Sequence, residues 1–328
     1  MKTLVTGGAG FIGSNLVDKL VDLGHEVTVL DNCSTGRLLN LKKVNKKIKF
    51  KKIDISISNN KLNKYFNKID WVFHLAGLAD IVPSIINPNQ YFNANVLGTY
   101  NILEASKKAN VKKFIYAASA SCYGIPKKYP TDEKSEIDTK YPYALTKFLG
   151  EQLVLHWAKV YNQPNISLRF FNAYGPRSRT TGAYGAVFGI FLAQKIAKKP
   201  LTIVGDGNQT RDFIHVFDLV DAIIKSAELG KNKEIYNVAS GKETSVNYIA
   251  QLIGGEKISI PKRPGEPDRS LADISKIKSE FNWNPKISID EGVNMLLNNI
   301  QDWKNAPVWT PEKIEKATKV WFKYLSKN

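Results

Sequence analysis

Three observations predict an α/β fold in which a doubly wound parallel sheet carries a smaller α/β lobe. A glycine-rich turn, Thr6-Gly-Gly-Ala-Gly-Phe-Ile-Gly13, stands between an apolar run and a helical pattern. Strand-like and helix-like segments alternate as far as Phe170, as parallel strands joined by helical crossovers do. The second strand-like segment ends on a carboxylate, Asp31.

The first strand is expected at Lys2 to Thr6. Glycines behind it let the backbone turn tightly and approach a ligand, and the next helix offers N–H groups and a positive dipole end, so the turn proposes a dinucleotide pyrophosphate site. Gly7, Gly10 and Gly13 fit one common glycine spacing, and Gly8, Gly10 and Gly13 fit another. Phe11, Ile12, Leu16, Val17, Leu20 and Leu23 recur at helical spacing, and Gly24 ends that helix before a strand at Glu26 to Leu30. Asp31 then stands where a carboxylate binds both adenosine ribose hydroxyls and repels a 2′-phosphate, which favours NAD over NADP. Arg37 nearby leaves NADP open, and a turn-opening surface role before Asn32 is the alternative for Asp31.

Further strands are expected at Ile48 to Ile53, Trp71 to Leu75, Lys113 to Ala117 and Ile166 to Phe170, with the longest helices near Asn89 to Ala109 and Tyr143 to Tyr161. This is the order of a Rossmann sheet. From Phe171 onward the loops lengthen around Pro176, Gly182, Gly185, Gly205, Gly207, Pro261, Pro264 and Pro267. Residues 1–170 therefore read as a nucleotide-binding domain and 171–328 as a smaller lobe. Within 212–240, a helix at Asp212 to Glu228 and a strand at Glu234 to Ala239 are expected to rejoin the first domain.

A chain of 328 residues, 43% hydrophobic, can bury substantial cores. Its net charge of +17 raises the possibility of nucleic-acid binding. The distribution argues against it: lysines are scattered along the chain and only seven arginines occur, Arg37, Arg169, Arg177, Arg179, Arg211, Arg263 and Arg269. The densest run, Lys42 to Lys52, reads as the solvated face of an edge strand. Two cysteines, Cys33 and Cys122, make neither a metal-ligand set nor a disulfide framework. No apolar run reaches membrane-spanning length and the first strand begins at Met1, so no membrane association, no metal and a cytoplasmic location are expected.

The chemistry centres on Tyr143-Ala-Leu-Thr-Lys147. Four residues apart on a helix, the two side chains share a face, and a nearby ammonium would lower the phenol pKa toward usefulness as a proton donor or acceptor. Tyr123 and Lys127 repeat the spacing, but Gly124 and Pro126 between them preclude a regular helix. Ser119 closes the apolar strand before it, at the carboxyl end where ligands bind in such sheets.

Together, the glycine turn, Asp31, His74-Leu-Ala-Gly77, Asn95-Val-Leu-Gly98-Thr99, Ser119 with Tyr123-Gly124, and Tyr143/Lys147 resemble the extended short-chain dehydrogenase/reductase family over nearly the whole chain. Arg169-Phe-Phe-Asn172, Gly175-Pro-Arg177, Gly205-Asp-Gly207, Arg211-Asp-Phe-Ile-His215 and Arg263-Pro-Gly-Glu266 resemble its nucleotide-sugar epimerase/dehydratase branch. The resemblance implies Tyr143 as catalytic base, Lys147 holding the nicotinamide ribose, and Ser119 hydrogen-bonded to the reacting sugar oxygen. It implies tightly bound NAD held by Gly7, Gly10, Phe11, Ile12, Gly13, Asp31, Asn32, Asp54, Ile55, Leu75, Ala76, Gly77, Asn95, Tyr143 and Lys147. A nucleotide sugar, most simply a UDP-sugar, would meet Ser84, Ser119, Ser121, Asn172, Arg211, Arg263, Glu266 and Ser270, with the arginines pairing the pyrophosphate. Surface ion pairs with Asp212 or Glu266 are the alternative for those arginines, and structural roles for His74 and His215.

The dehydratases of that branch place Asp-Glu after the active hydroxyl, and its decarboxylases keep the Glu, whereas this chain has Ala120-Ser121. Lacking those acids for elimination, the chain resembles the 4-epimerases, which oxidise C4 to a ketone and return the hydride to the other face. Ser270 falls where 4-epimerases carry either tyrosine or a small residue, and a small one implies room for UDP-N-acetylhexosamines beside UDP-glucose and UDP-galactose. A reductase, an epimerase of another deoxy, uronic, GDP- or CDP-linked sugar, and a non-catalytic NAD- or nucleic-acid-binding protein are the competing readings. The resemblance also implies a homodimer through the helices near Asn89 to Ala109 and Tyr143 to Tyr161. Trp303, Trp309, Trp321, Phe322 and Tyr324 suggest burial of the C-terminal segment over the smaller lobe or between subunits.

Overall fold

The computed structural model describes residues 1–57, 61–178 and 187–326. Arg179, Gly182 and Gly185 lie outside the described residues. The first half runs β1 (Lys2–Thr6), α1 (Phe11–Asp22), β2 (Glu26–Asp31), β3 (Ile48–Lys52), β4 (Trp71–His74), α2 (Ile81–Ile86), α3 (Pro88–Phe92) and α4 (Gly98–Lys108). It continues with β5 (Lys113–Ser119), α5 (Pro142–Tyr161) and β6 (Asn165–Phe170). Next come β7 (Asn172–Tyr174), α6 (Val187–Ile196), β8 (Leu201–Val204), β9 (Thr210–His215), α7 (Val216–Leu229) and β10 (Ile235–Val238). The last part holds β11 (Glu243–Ser245), α8 (Val246–Ile253), β12 (Lys257–Ile260), α9 (Ser275–Phe281), α10 (Ile289–Asn298) and α11 (Pro311–Leu325).

Seven strands form one parallel sheet in the order β10-β6-β5-β4-β1-β2-β3. The chain winds outward from β1 in one direction and, from β4, in the other, so a crevice opens at the carboxyl ends of β1 and β4. Leu4 is in register with both Thr28 and Val72. Central strands are buried on both faces, as the fully buried Trp71–His74 shows, which is why they read as continuous apolar runs. One face carries Leu16, Val17 and Leu20 of α1 with Leu219 and Ile223 of α7 and Ile277 of α9. The other carries Ile102 and Leu103 of α4 with Val154 and Trp157 of α5. At the outer edge, β3 exposes Lys49, Lys51 and Lys52, the solvated edge face expected of the lysine run.

The remaining strands form a three-stranded sheet, β11-β9-β7, and a pair, β12-β8. They enclose a separate core around Phe188, Phe191, Ile249, Leu296 and Trp303. β10 belongs to the large sheet, pairing with β6 in register Asn237 to Arg169.

Two expected helices differ in the structure. The segment 89–109 is not one uniform helix: Asn93–Leu97 forms a π-helical step between α3 and α4, widening the turn that carries Asn95. The helix expected from Asp212 begins only at Val216, because Thr210–His215 is strand β9 and His215 Nδ1 caps α7 by accepting from Phe217 N. Of the C-terminal aromatics, Trp303 and Trp321 are buried but Tyr324 is exposed. Among the described residues no helix is long and apolar enough to cross a membrane.

Candidate active site

The glycine turn is built by close backbone packing. Gly7, at φ +71°, leaves no space for a side chain: a Cβ there would stand 2.7 Å from Ala76 N. A Cβ on Gly13 would stand 2.2 Å from the Gly7 carbonyl oxygen. Gly7, Gly10 and Gly13 thus pack on one another, whereas Gly8 packs on the Val29 side chain. Helix α1 starts at Phe11 behind its N-cap Gly10 with no side-chain cap, so the amides of Phe11, Ile12 and Gly13 in its first turn lack intrahelical acceptors and suit a pyrophosphate.

Asp31, nearly buried at the end of β2, is tied to this turn: Oδ2 accepts from Ala9 N at 2.9 Å and Oδ1 from Cys33 N at 2.7 Å. Each oxygen keeps a lone pair for a further donor. Asn32 Nδ2 donates to Asp54 Oδ2 at 3.2 Å, and the Ser56 amide and hydroxyl donate to Asp54 Oδ1. Burial would raise the Asp54 carboxyl, but these bonds hold it below the usual range. Ile55 is buried against Gly98. An uncapped helix start, a carboxylate fixed at its side and a close-packed glycine floor fit the pyrophosphate and ribose of a dinucleotide.

A directed chain of hydrogen bonds crosses the crevice. Thr99 donates to the Asn95 carbonyl at 2.6 Å, so it accepts from His74 Nε2 at 2.9 Å. Nδ1 of His74 then accepts from the Thr6 hydroxyl at 2.7 Å, and Thr6 accepts from Ala76 N at 3.2 Å. Complete burial drives His74 down to about 3, keeping it neutral, and burial also depresses His215. The Asn95 side chain pins the loop after β4, accepting from Leu78 N and donating to Leu78 O and Thr146 Oγ1. Thr146 in turn donates to the Tyr143 carbonyl at 3.0 Å.

Ser119 ends β5, and its Oγ accepts from Ser121 N at 3.2 Å to start a short 3-10 turn, Ala120–Tyr123. Tyr143 lies in the first turn of α5 behind Pro142 and packs edge-on against Tyr91 and parallel to Tyr141. The expected lowering of its phenol by Lys147 is not what this environment produces. Burial raises the phenol above its ordinary value; the Ser119 and Ser121 hydroxyls oppose that, and Asp80 adds to it. The Lys147 ammonium instead sits 4.5 Å from the Tyr116 ring centroid and 3.7 Å from where a Cβ on Gly77 would be. Burial brings Lys147 down to about 7, partly offset by Glu151. Glu151 is itself held by a buried fork from Arg169, at 2.6 Å and 3.0 Å.

The residues expected to meet a substrate divide. Arg211 and Glu266 lie within electrostatic reach of Tyr141, which brings them to the Tyr143 neighbourhood. Arg211 does not pair with Asp212: it donates to the Thr210 carbonyl, while buried Asp212 accepts from Ser240, Gly241 and Ala272. Arg263 does pair with Glu266, at 3.2 Å. Asn172 is exposed on β7 and Ser270 is half-buried. Ser84 is fully buried and donates to its own helix at Ile81 O, so its hydroxyl points into the protein. Sequence reading passed over Tyr141, Asp80 and Thr146. The Tyr-Pro-Tyr run could have flagged the first, while Asp80 is marked only by its backbone, at φ +85°.

A parallel sheet reversing at the glycine turn, with a serine, tyrosine and lysine gathered beside the crevice, defines a dinucleotide-dependent enzyme of the short-chain dehydrogenase/reductase class. The chain belongs to the NAD dependent epimerase/dehydratase family, which matches residues 3–239, and NAD is the cofactor of that family. It is 38% identical to a putative UDP-glucose 4-epimerase of Methanocaldococcus jannaschii, over 90% of this chain and 97% of the other. UDP-glucuronic acid decarboxylase 1 of Arabidopsis thaliana is 32% identical over 92% of this chain and 70% of its own. UDP-glucose 4-epimerase of Thermotoga maritima, solved with UDP-glucose, superposes with a TM-score of 0.87 at 33% identity, over 92% of this chain and 99% of the other. UDP-N-acetylglucosamine 4-epimerase of Methanobrevibacter ruminantium, solved with UDP-N-acetylmuramic acid, gives 0.85 at 32%, over 91% and 98%.

Proposed function

We propose that the protein is an NAD-dependent 4-epimerase of a UDP-hexose or UDP-N-acetylhexosamine. The observation that carries this reading is the Tyr143 phenol beside the Ser119 and Ser121 hydroxyls, on a turn where Ala120 and Ser121 replace the acids of the dehydratases. The UDP-sugars named for the relatives support it, and against the decarboxylases among them the turn favours an epimerase. NAD, when bound, supplies at C4 a hydride acceptor regenerated within each turnover, which favours its retention.

The chain's own residues do the rest. Tyr143 Oη takes the C4 hydroxyl proton and later returns it, with Ser119 Oγ donating to the same sugar oxygen. Lys147, buried and brought near neutrality, holds the nicotinamide ribose. Gly7 to Gly13 and Asp31 hold the adenosine half, and Asn32, Asp54, Ile55, Leu75, Ala76, Gly77 and Asn95 complete the wall. Asn172, Arg211 and Arg263 bind the nucleotide diphosphate, with Ser121, Glu266 and Ser270 toward the nucleotide sugar. Inward-facing Ser84 supports its helix. In this reading 1–170 with 212–240 forms the NAD-binding part and the rest of 171–328 the substrate lobe.

A homodimer is proposed across α3, the π-helical step and α5, where Phe92, Leu97, Leu145 and Val160 are exposed beside a groove lined by Val96, Leu149 and Leu153. Sedimentation of wild type against Leu149→Glu tests it. Free thiols at Cys33 and Cys122 suit a reducing cytoplasm.

The enzyme is tested by incubation with UDP-glucose, UDP-galactose, their N-acetyl counterparts and UDP-glucuronic acid. The expected result is interconversion at C4 with no net NADH, lost by on the order of a hundredfold or more in Tyr143→Phe. Net NADH, release of carbon dioxide from the uronic acid, or near-normal turnover by Tyr143→Phe overturns the reading.

A further inference from the structure

The C-terminal helix packs against three segments of the candidate site. Trp321 and Leu325 of α11 are buried with Val82 of α2, and Ile85, Tyr141 and Val320 pack around them. Helix α2 follows the loop pinned by Asn95, and Tyr141 lies parallel to Tyr143. The third segment is Arg263–Glu266. The Trp321 indole N–H donates to the Pro264 carbonyl at 2.6 Å. Its ring lies 5.5 Å from Arg263 Cζ, within the range of a cation–π contact. Gly265, at φ +73°, turns the chain beside Leu325. One indole thus fixes the backbone next to Arg263 and faces its guanidinium, while Glu266 holds another edge of the fork.

This arrangement has a consequence for phosphate binding. An arginine that wanders loses rotamer freedom when it clasps an anion, and a fork ordered beforehand loses less. Arg263 is ordered from two sides and only 13% exposed, so a nucleoside diphosphate meets a guanidinium already in place.

We infer that Trp321 is a positioning residue for Arg263, and that α11 thereby forms part of the nucleotide-sugar site. The inference rests on the reading of Arg263 as a pyrophosphate ligand. It is tested on the full-length holoenzyme with UDP alone as a calorimetric probe, and with UDP-sugar turnover. Trp321→Leu is expected to weaken UDP about tenfold and to raise KM similarly, with kcat moving far less. Trp321→Phe, which keeps a ring face and the packing, should recover much of the loss and keeps the test open if the leucine variant folds poorly. In an Arg263→Lys background, Trp321→Leu should add little to its effect on UDP affinity, because the two residues act together. UDP affinity unchanged in both Trp321 variants, or effects fully additive with Arg263→Lys, overturns the role of Trp321 even where wild type turns over UDP-sugars. Wild type that does not bind UDP overturns the reading of Arg263, and this inference with it.

Discussion

Tyr141 and Tyr143 hold their rings nearly parallel, 7° apart in plane and 6.4 Å between centroids, with Pro142 between them. Tyr141 is the extended residue that precedes α5, so side chains two apart project to the same side before the helix begins. The phenol of Tyr143 is withdrawn from water beside the Ser119 and Ser121 hydroxyls, where single charges act strongly.

Burial raises the Tyr143 phenol most, and Asp80 is the carboxylate that adds to it. Removing its charge lowers that pKa, so Asp80→Asn should move the rising limb of the pH–rate profile, along which the Tyr143 phenolate forms, to lower pH, by up to about one unit. The profile of kcat/KM between pH 6 and 10 checks this. A limb that stays put, or moves to higher pH, contradicts the assignment of the limb to Tyr143.

Asp31→Asn keeps the shape of the cofactor wall but turns an ionised acceptor into a neutral amide. NAD affinity should fall by roughly tenfold to a hundredfold, because hydrogen bonds to charged groups are worth about 1.5–3 kcal/mol. NADP, no longer repelled, should lose less. Dissociation constants of both dinucleotides for the two proteins decide the point.

His74 binds no proton in the folded protein until the pH nears 3, while the unfolded chain binds one at about 6.5. Its contribution is therefore full above pH 6.5 and is lost as pH falls toward 3, at about 1.4 kcal/mol per unit. In His74→Gln, which cannot titrate, stability should decline less steeply over that window although the variant is less stable at pH 7. Parallel stability–pH curves for the two proteins would show that His74 is not buried neutral.

Ser270→Tyr tests the breadth of the sugar pocket. If Ser270 borders the sugar, the added ring should depress kcat/KM for UDP-N-acetylglucosamine about tenfold or more relative to UDP-glucose. Equal effects on the two substrates would place Ser270 away from the 2-substituent.

Strands buried on both faces announce themselves, and β1 spans Lys2–Thr6 as the apolar run predicts. The glycine turn is equally legible, since only glycine fits against Ala76 and the Gly7 carbonyl. What periodicity misses is decided by partners distant in the chain. The π-helical step at Asn95 depends on bonds to Leu78 and Thr146. Asp212 is a buried acceptor for amides at 240, 241 and 272 rather than a helix opener. Spacing correctly put Tyr143 and Lys147 on one helix, but it carried no information about burial, which drives the phenol upward.

The return of β10 to the large sheet bears on protein engineering. Asn237 on that strand accepts from the Tyr123 hydroxyl, and donates from its side chain to Thr131 O and from its backbone N–H to the Glu133 carboxylate. Parts of the smaller lobe exchanged between relatives therefore cannot be spliced at a single junction after β6. A working chimera needs at least two crossovers, keeping α7 and β10 with the parental sheet while the flanking pieces are replaced.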